Sequence, residues 1–279
     1  ALEDLVRAAV DERAAGAVVL PVSLRAGELE ERLGRLLHPV RHDRLEGIRL
    51  EAVAEQVAVE AARLFAIPDG VDFPTAASIL MTYGTTIHGL KDRGDIAQGQ
   101  TVLVLGAAGG VGLSAIMIAA ASGARVVAVD VTDEKLAMAK ALGAEVTVNG
   151  ASDNPVKAIR QATGGGAHLS LDALGHSTTF ANSVKCLRPR GRHVQVGLLL
   201  GEHLAPVAPM ARVIALELEI HGSHGIQSFR YAAALALIEA GRLQPEKMIG
   251  SRITLEQSID VLTGMDASTA TGIPVITAF

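Results

Sequence analysis

Gly106, Gly109, Gly110 and Gly112 follow an apolar run, Val102 to Leu105, and open an apolar helical stretch. A second apolar run, Val126 to Val129, then ends in Asp130. Strand, glycine turn, helix, strand and acid within about 30 residues is the order a dinucleotide-binding unit requires. Gly106 lets the chain leave the strand tightly. Gly109 and Gly110 let backbone N–H groups approach a pyrophosphate, and Gly112 lets the helix pack close to the sheet. The helix N-terminus offers the phosphates free N–H groups and a partial positive charge. An acid at Asp130 accepts ribose hydroxyls and repels a 2′-phosphate, so NAD is expected over NADP. Helix capping is the other use of such an acid, but a strand end favours the ribose.

Other reactive side chains are sparse. The chain has one cysteine, Cys186, which excludes an internal disulfide and a multi-cysteine zinc site. It is expected mid-helix, as a small buried hydrophobe. His38 and His42 have i, i+4 spacing, but Pro39 between them weakens the helix such a metal pair needs. His88 sits on an apolar helix and reads as a satisfied core or interface residue. His224 reads as a loop histidine, and His176 and His193 have no evident partner.

These residues need elements to position them. Strands are expected at 102–105, 125–130, 145–148, 168–172, 192–197 and 217–221, with helices between. Thr132 can cap the helix through Leu142, Pro155 suits the start of the next, and Gly164 to Gly166 end it. Ser177 can open the helix carrying Cys186, and Ser228 the alanine-rich helix stopping at Gly241. The fold class is therefore α/β, a doubly wound six-stranded parallel sheet. Pro74 starts a helical stretch over 74–92. Residues 52–66 are open between strand and helix. Helical stretches at 3–14 and 27–37 flank an apolar run at 17–20. Thr254 and Gln257 have capping-box spacing before a helix, and a short strand is expected over 273–276.

Apolar residues make up 49% of the 279 and aromatics 3%, so the core must be aliphatic, as suits a buried parallel sheet. The net charge of −5, with basic residues scattered, argues against a nucleic-acid or acidic-membrane partner. No apolar run is long enough to span a membrane or reads as a signal peptide. A cytoplasmic location is the simplest expectation.

From about Val53 onward the chain resembles the medium-chain dehydrogenase/reductase family. The stretches Ile67-Pro-Asp-Gly70 with Ala76-Ala77, MTYGT (81–85) and GAAGGVG (106–112) carry the resemblance, the last two in their quinone-oxidoreductase form. GRHVQVGLLLGE (191–202) and Glu217 to Gly225 look more like the alcohol dehydrogenases. The resemblance implies a Rossmann domain over 81–243. It implies a substrate-side domain from 1–80 and 244–279, atypical and shortened over residues 1–52. By resemblance, Thr85 contacts the nicotinamide and Val111 touches the ring or its ribose. Asp130 and Lys135 take the adenosine ribose. Ala173, Leu174 and Gly175, then Val196, Gly197 and Leu198, form the loops after the fourth and fifth strands. Gly222 and Ser223 end the sixth.

The family's zinc members carry a cysteine where Met81 stands here, so no metal is expected. Tyr83 is the one phenol near the expected nicotinamide; it is a candidate proton donor beside Thr85, or else a packing residue. The expected function is zinc-independent hydride transfer between NAD(H) and a small carbonyl, quinone or enone. A catalytically degenerate NAD-binding protein and a zinc alcohol dehydrogenase are the alternatives. The resemblance also implies a homodimer through the edge segment 212–222.

Overall fold

Parallel strands buried on both faces need apolar side chains in both directions, and the runs around 102–105 and 126–129 supply them. A computed structural model describes residues 17–21, 56–60, 67–226, 230–264 and 270–278. The chain divides into two compact units. One is Ala1–Ile67 with Ile253–Ser268 and Ile276–Phe279, and the other is Pro68–Arg252 with Thr269–Val275.

In the first unit, β1 (Ala17–Pro21) and β2 (Gln56–Glu60) pair antiparallel, with Ala17 opposite Glu60. The ambiguous stretch 52–66 is thus a strand at its centre. The helix Leu255–Gly264 has the expected reciprocal cap. Gln257 Oε1 accepts from the Thr254 N–H at 2.8 Å, and Thr254 Oγ1 accepts from the Gln257 N–H at 3.3 Å. The expected helices at 3–14 and 27–37, His38, His42 and Ser228 lie outside the described residues.

The second unit begins with α1 (Phe73–Ile87), extended by a wider helical turn, His88–Arg93. The alternation then runs β3 (Thr101–Leu105), α2 (Gly110–Ala121), β4 (Arg125–Asp130), α3 (Asp133–Ala141) and β5 (Val146–Asn149). It continues with α4 (Pro155–Ala162), β6 (Ala167–Asp172), α5 (Ser177–Lys185), β7 (Leu187–Gln195), α6 (Met210–Ala215), β8 (Glu219–Gly222) and α7 (Ala232–Glu239). The strands form one six-stranded parallel sheet in the order β5-β4-β3-β6-β7-β8. The order reverses between β3 and β6, which creates a crevice at their carboxyl ends.

Side chains alternate across the sheet with period two. Val102, Val104, Leu169, Leu171 and Val194 join one core with Ile79 and Ile87 of α1 and Leu113 and Ile116 of α2. Leu103, Leu105, Val127 and Val129 face the other way, onto Ile159, Phe180 and Val184. Ile79 and Met248 belong to the first core, so the residues from Pro68 to 80 and from 244 to Arg252 fall in the sheet-bearing unit.

Most helix starts are legible. Asp72 accepts from Thr75 N–H at 3.0 Å just before Pro74, Thr132 caps α3, and Asn154 caps α4. α5 differs from expectation. His176 is its cap: Nδ1 accepts from Thr178 N–H at 3.1 Å, and Thr179 Oγ1 accepts from His176 N–H at 3.3 Å. Ser177 is the first helical residue. Cys186 ends this helix instead of lying within it, and burial pushes its thiol up to about 12.

β7 carries His193 fully into the interior. Gln195 Nε2 donates to Gly197 O at 2.8 Å, leaving Oε1 to accept from His193 Nε2 at 3.1 Å. His193 Nδ1 therefore accepts from Ser183 Oγ at 2.8 Å, and the ring is the neutral Nε2–H tautomer. Burial lowers its pKa from 6.5 to about 4, against the opposing pull of Gln195. The unfolded chain thus takes up this proton first as pH falls from 6.5 toward 4. The protein is expected to lose about 3 kcal/mol more stability than a His193→Gln variant between pH 7 and pH 4. Urea titrations of both proteins across that range check it; parallel losses would refute the assignment.

Candidate cofactor site

Strand pairing sets the expected site segments in a row. Leu105 lies beside Val129 on one side and Asp172 on the other; Asp172 lies beside Gln195, and Gln195 beside Gly222. Asp130, the glycine turn, 173–175, 196–198 and 222–223 thus follow one another along the carboxyl edge of a single sheet. In open α/β sheets this edge, at the point where strand order reverses, is where ligands bind.

The glycine turn is built as its spacing implies. Gly106 turns back with φ +72°, and its N–H and that of Ala107 both donate to Val129 O, at 3.1 and 3.2 Å. A Cβ on Gly112 would stand 2.1 Å from Gly106 O, so only glycine lets α2 start this close to the strand. Gly109 is the N-cap of α2 with no side-chain bond to the first turn. A Cβ there would meet nothing nearer than 3.8 Å, so the mouth of the turn is open. The N–H groups of Gly110, Val111 and Gly112 in the first turn of α2 make no hydrogen bond among the described residues, which suits an anion. Val111 O accepts from Ser114 Oγ at 2.9 Å and Thr86 Oγ1 at 3.3 Å, pinning α1 to this turn. Gly110 faces Thr82 and Ile273.

Asp130 ends β4 almost enclosed. Its Oδ2 accepts from Ala108 N–H at 2.9 Å, its Oδ1 from Val131 N–H at 2.8 Å, and Lys135 Nζ stands 3.6 Å away. The acid expected at the ribose therefore also braces the glycine turn. A carboxylate has about four acceptor sites, so ribose hydroxyls can still be received.

The next two loops interlock. Gly175 has φ +85°, and a Cβ on it would stand 2.3 Å from Leu198 O; a Cβ on Gly197 would stand 2.2 Å from Gly175 N. Beneath them lies a residue whose role the sequence reading missed, Asp172, with no exposed surface. Its Oδ1 accepts from the N–H groups of Leu174 (2.9 Å) and Gly175 (3.2 Å), and its Oδ2 from Thr179 Oγ1 at 2.8 Å. Its carbonyl accepts from Val196 N–H at 3.0 Å and Gly197 N–H at 2.8 Å. Burial pushes its carboxyl above the ordinary range, against these hydrogen bonds. The signal was present, since an acid closes an apolar strand directly before Ala173. Ala173 N–H donates to Leu105 O at 3.0 Å, while Leu174 and Leu198 project with 51% and 60% exposure.

Thr85 is nearly enclosed on α1, its hydroxyl 3.9 Å from Met81 Sδ. Gly222 O accepts from Arg93 Nε at 2.9 Å. Ser223 N–H donates to Gln195 O, and its buried hydroxyl has no partner among the described residues. Tyr83 requires a correction. It is fully buried, its hydroxyl 3.6 Å from Met117 Sδ within the core, and burial pushes its phenol well up. Its helical position turns it toward α2, so it is a packing residue and not a proton donor. His88 pairs with Asp92 at 2.8 Å, a satisfied side chain.

Met81 is 74% exposed and offers only a thioether, and no cluster of three or more potential ligands occurs among the described residues.

Residues 110–240 match the family model described as zinc-binding dehydrogenase. The chain is 31% identical over 241 residues to quinone oxidoreductase-like protein 2 of Bos taurus, covering 82% of this chain and 68% of that protein. It is 32% identical over 202 residues to an NAD-dependent alcohol dehydrogenase of Sulfurisphaera tokodaii, covering 72% and 57%. A crystal structure of an NAD-dependent alcohol dehydrogenase superposes with TM-score 0.72 at 32% identity, over 81% of this chain and 65% of that one. The chain thus spans about half to two thirds of the length of the relatives it matches. Both branches seen in its motifs appear among them.

Substituting Gly175 by Ala is expected to cost about 3 kcal/mol, from a left-handed backbone plus a collision with Leu198 O. Chemical denaturation measures it. A Tyr83→Phe variant should leave dinucleotide affinity unchanged; a drop in affinity without loss of stability would restore Tyr83 to the site.

Proposed function

This chain belongs to the medium-chain dehydrogenase/reductase family, and from that premise we propose that it binds NAD(H) and transfers a hydride to or from a small carbonyl, quinone or enone without zinc. The observation that carries the reading is the row of loops on the carboxyl edge, from Asp130 through the open first turn of α2 to Ser223. When bound, the nicotinamide supplies the hydride chemistry. The protein's share is orientation and exclusion of alternatives.

The first-turn N–H groups of α2 would hold the pyrophosphate. Asp130 and Lys135 would hold the adenosine ribose. Asp130 supports NAD over NADP, because a 2′-phosphate would meet a carboxylate already committed to Ala108 and Val131. Thr85, Val111, Val196 to Leu198 and Ser223 would surround the nicotinamide. The thioether at Met81 supports a zinc-independent reaction in which the substrate oxygen is met by hydrogen bonds.

A homodimer through 212–222 forms part of the same reading. β8 is an edge strand of the sheet; Ile220 on it is 41% exposed and Ile214 on the preceding α6 is 74% exposed. Sedimentation as a dimer at micromolar concentration is expected; a monomer would count against it.

The deciding experiment is titration of nicotinamide fluorescence with NADH and NADPH, followed by a panel of quinones, enones and aldehydes. NADH is expected to bind more tightly and to be oxidised by at least one acceptor class. Binding without turnover across the panel would favour a cofactor-binding protein. An Asp130→Ser variant should weaken NADH by about tenfold and narrow its advantage over NADPH.

A further inference from the structure

We infer that Asp172 is a positioning residue for the nicotinamide half of the bound dinucleotide, holding the loops after β6 and β7 in one register. The inference rests on the reading of the carboxyl edge as a dinucleotide site. It adds a division of labour along that edge.

An enclosed carboxylate persists only where its lone pairs are met, because desolvating it unpaired is costly. Asp172 meets that demand with groups that face the site. Its side chain gathers the Leu174 and Gly175 N–H groups and the Thr179 hydroxyl from the loop and first turn after β6. The Gln195 side chain also reaches it, while donating to Gly197 O. Its main-chain carbonyl takes the Val196 and Gly197 N–H groups of the loop after β7. One residue thus holds both loops from beneath. Gly175 and Gly197 then lock them together, since neither leaves room for a Cβ between the two backbones. A shift of either loop must carry the other with it.

The adenosine half is held differently. Asp130, Lys135 and the first turn of α2 lie across the reversal point, and none of them hydrogen-bonds to Asp172. Disturbing Asp172 should therefore displace Val196 to Leu198 more than the ribose and pyrophosphate contacts, which it reaches only through the packing of Leu174 on Gly106.

The test compares two ligands on the full chain, ADP-ribose by calorimetry and NADH by nicotinamide fluorescence. Asp172→Asn keeps the shape and removes the charge. Thr179→Val leaves the carboxylate in place and deletes only its Oδ2 partner, and Thr179→Ser restores that hydroxyl. Both Asp172→Asn and Thr179→Val are expected to weaken NADH about fivefold and ADP-ribose less than twofold. The enhancement of nicotinamide fluorescence on binding should fall in both, and Thr179→Ser should match the parent. If Asp172→Asn does not fold, the Thr179 pair decides. Equal losses for both ligands, or unchanged NADH binding in Thr179→Val, would overturn the inference. Failure of the parent protein to bind ADP-ribose would instead overturn the dinucleotide site itself.

Discussion

A carboxylate without water around it constrains everything it touches, and Asp172 is such a group at the middle of the functional edge. Its position is dictated by the sheet: it follows Leu171 on β6, next to Leu105 at the reversal of strand order. Because it is buried there, the chain on either side must bring donors to it. The turn at 173–175 does so through backbone N–H groups, and α5 through Thr179. The neighbouring strand contributes Val196 and Gly197 by main chain. The loops that flank the proposed nicotinamide pocket thus take their shape from the demand of one carboxylate for partners. Gly175 and Gly197 are glycines because that demand draws two backbones into contact.

The same logic, with a different partner, governs the other half of the edge. Asp130 is held by Ala108 and Val131 N–H groups and faces Lys135. It connects the end of β4 to the glycine turn after β3. Gly106 and Gly112 bring strand and helix so close that Gly106 O lies where a Cβ would be. Each half of the crevice is therefore a strand-end acid tying a loop down, with glycines where backbones meet. β7 extends the arrangement inward. His193 and Gln195 form a satisfied polar chain reaching Gly197 O, which stiffens the second half from below.

The parallel sheet and its edge were legible because both depend on short-range patterns. The apolar runs at 102–105 and 125–130, the glycine spacing and the terminal acid are local, and the structure follows them closely. β7 was read five residues short, since Arg188, Pro189, Arg190 and Gly191 look like a loop. Arg190 does adopt φ +59°, and the pairing with β6 shifts register between Ala167 and Leu169 before it becomes regular. Tyr83 illustrates a different failure. Its place two residues before Thr85 is a sequence fact, but helical geometry turns neighbours about 100° apart, so proximity along the chain says little about shared facing. Asp172 was missed for the opposite reason. A buried acid contradicts the expectation that strand interiors are apolar, and only its partners, drawn from 174 to 197, explain it.

With Tyr83 in the core, the polar side chains left along the edge are hydroxyls in an unusual condition. Among the described residues the Thr85 hydroxyl meets only a thioether, which is a weak acceptor. Ser223 Oγ is buried without a partner among the described residues, a state it shares there only with Arg212 Nε. An unsatisfied buried polar atom costs about 1–3 kcal/mol. Folded proteins rarely leave such atoms unpaired. Deeper in this unit a comparable demand is met between His193 and Ser183. The shortfall at Ser223 lies at the end of the row proposed for the nicotinamide, beside Val196 and Gly89. A ligand carrying a hydrogen-bonding group to that place would give this hydroxyl a partner. Selectivity for such a ligand would then come from meeting a hydroxyl that the described residues leave unmet.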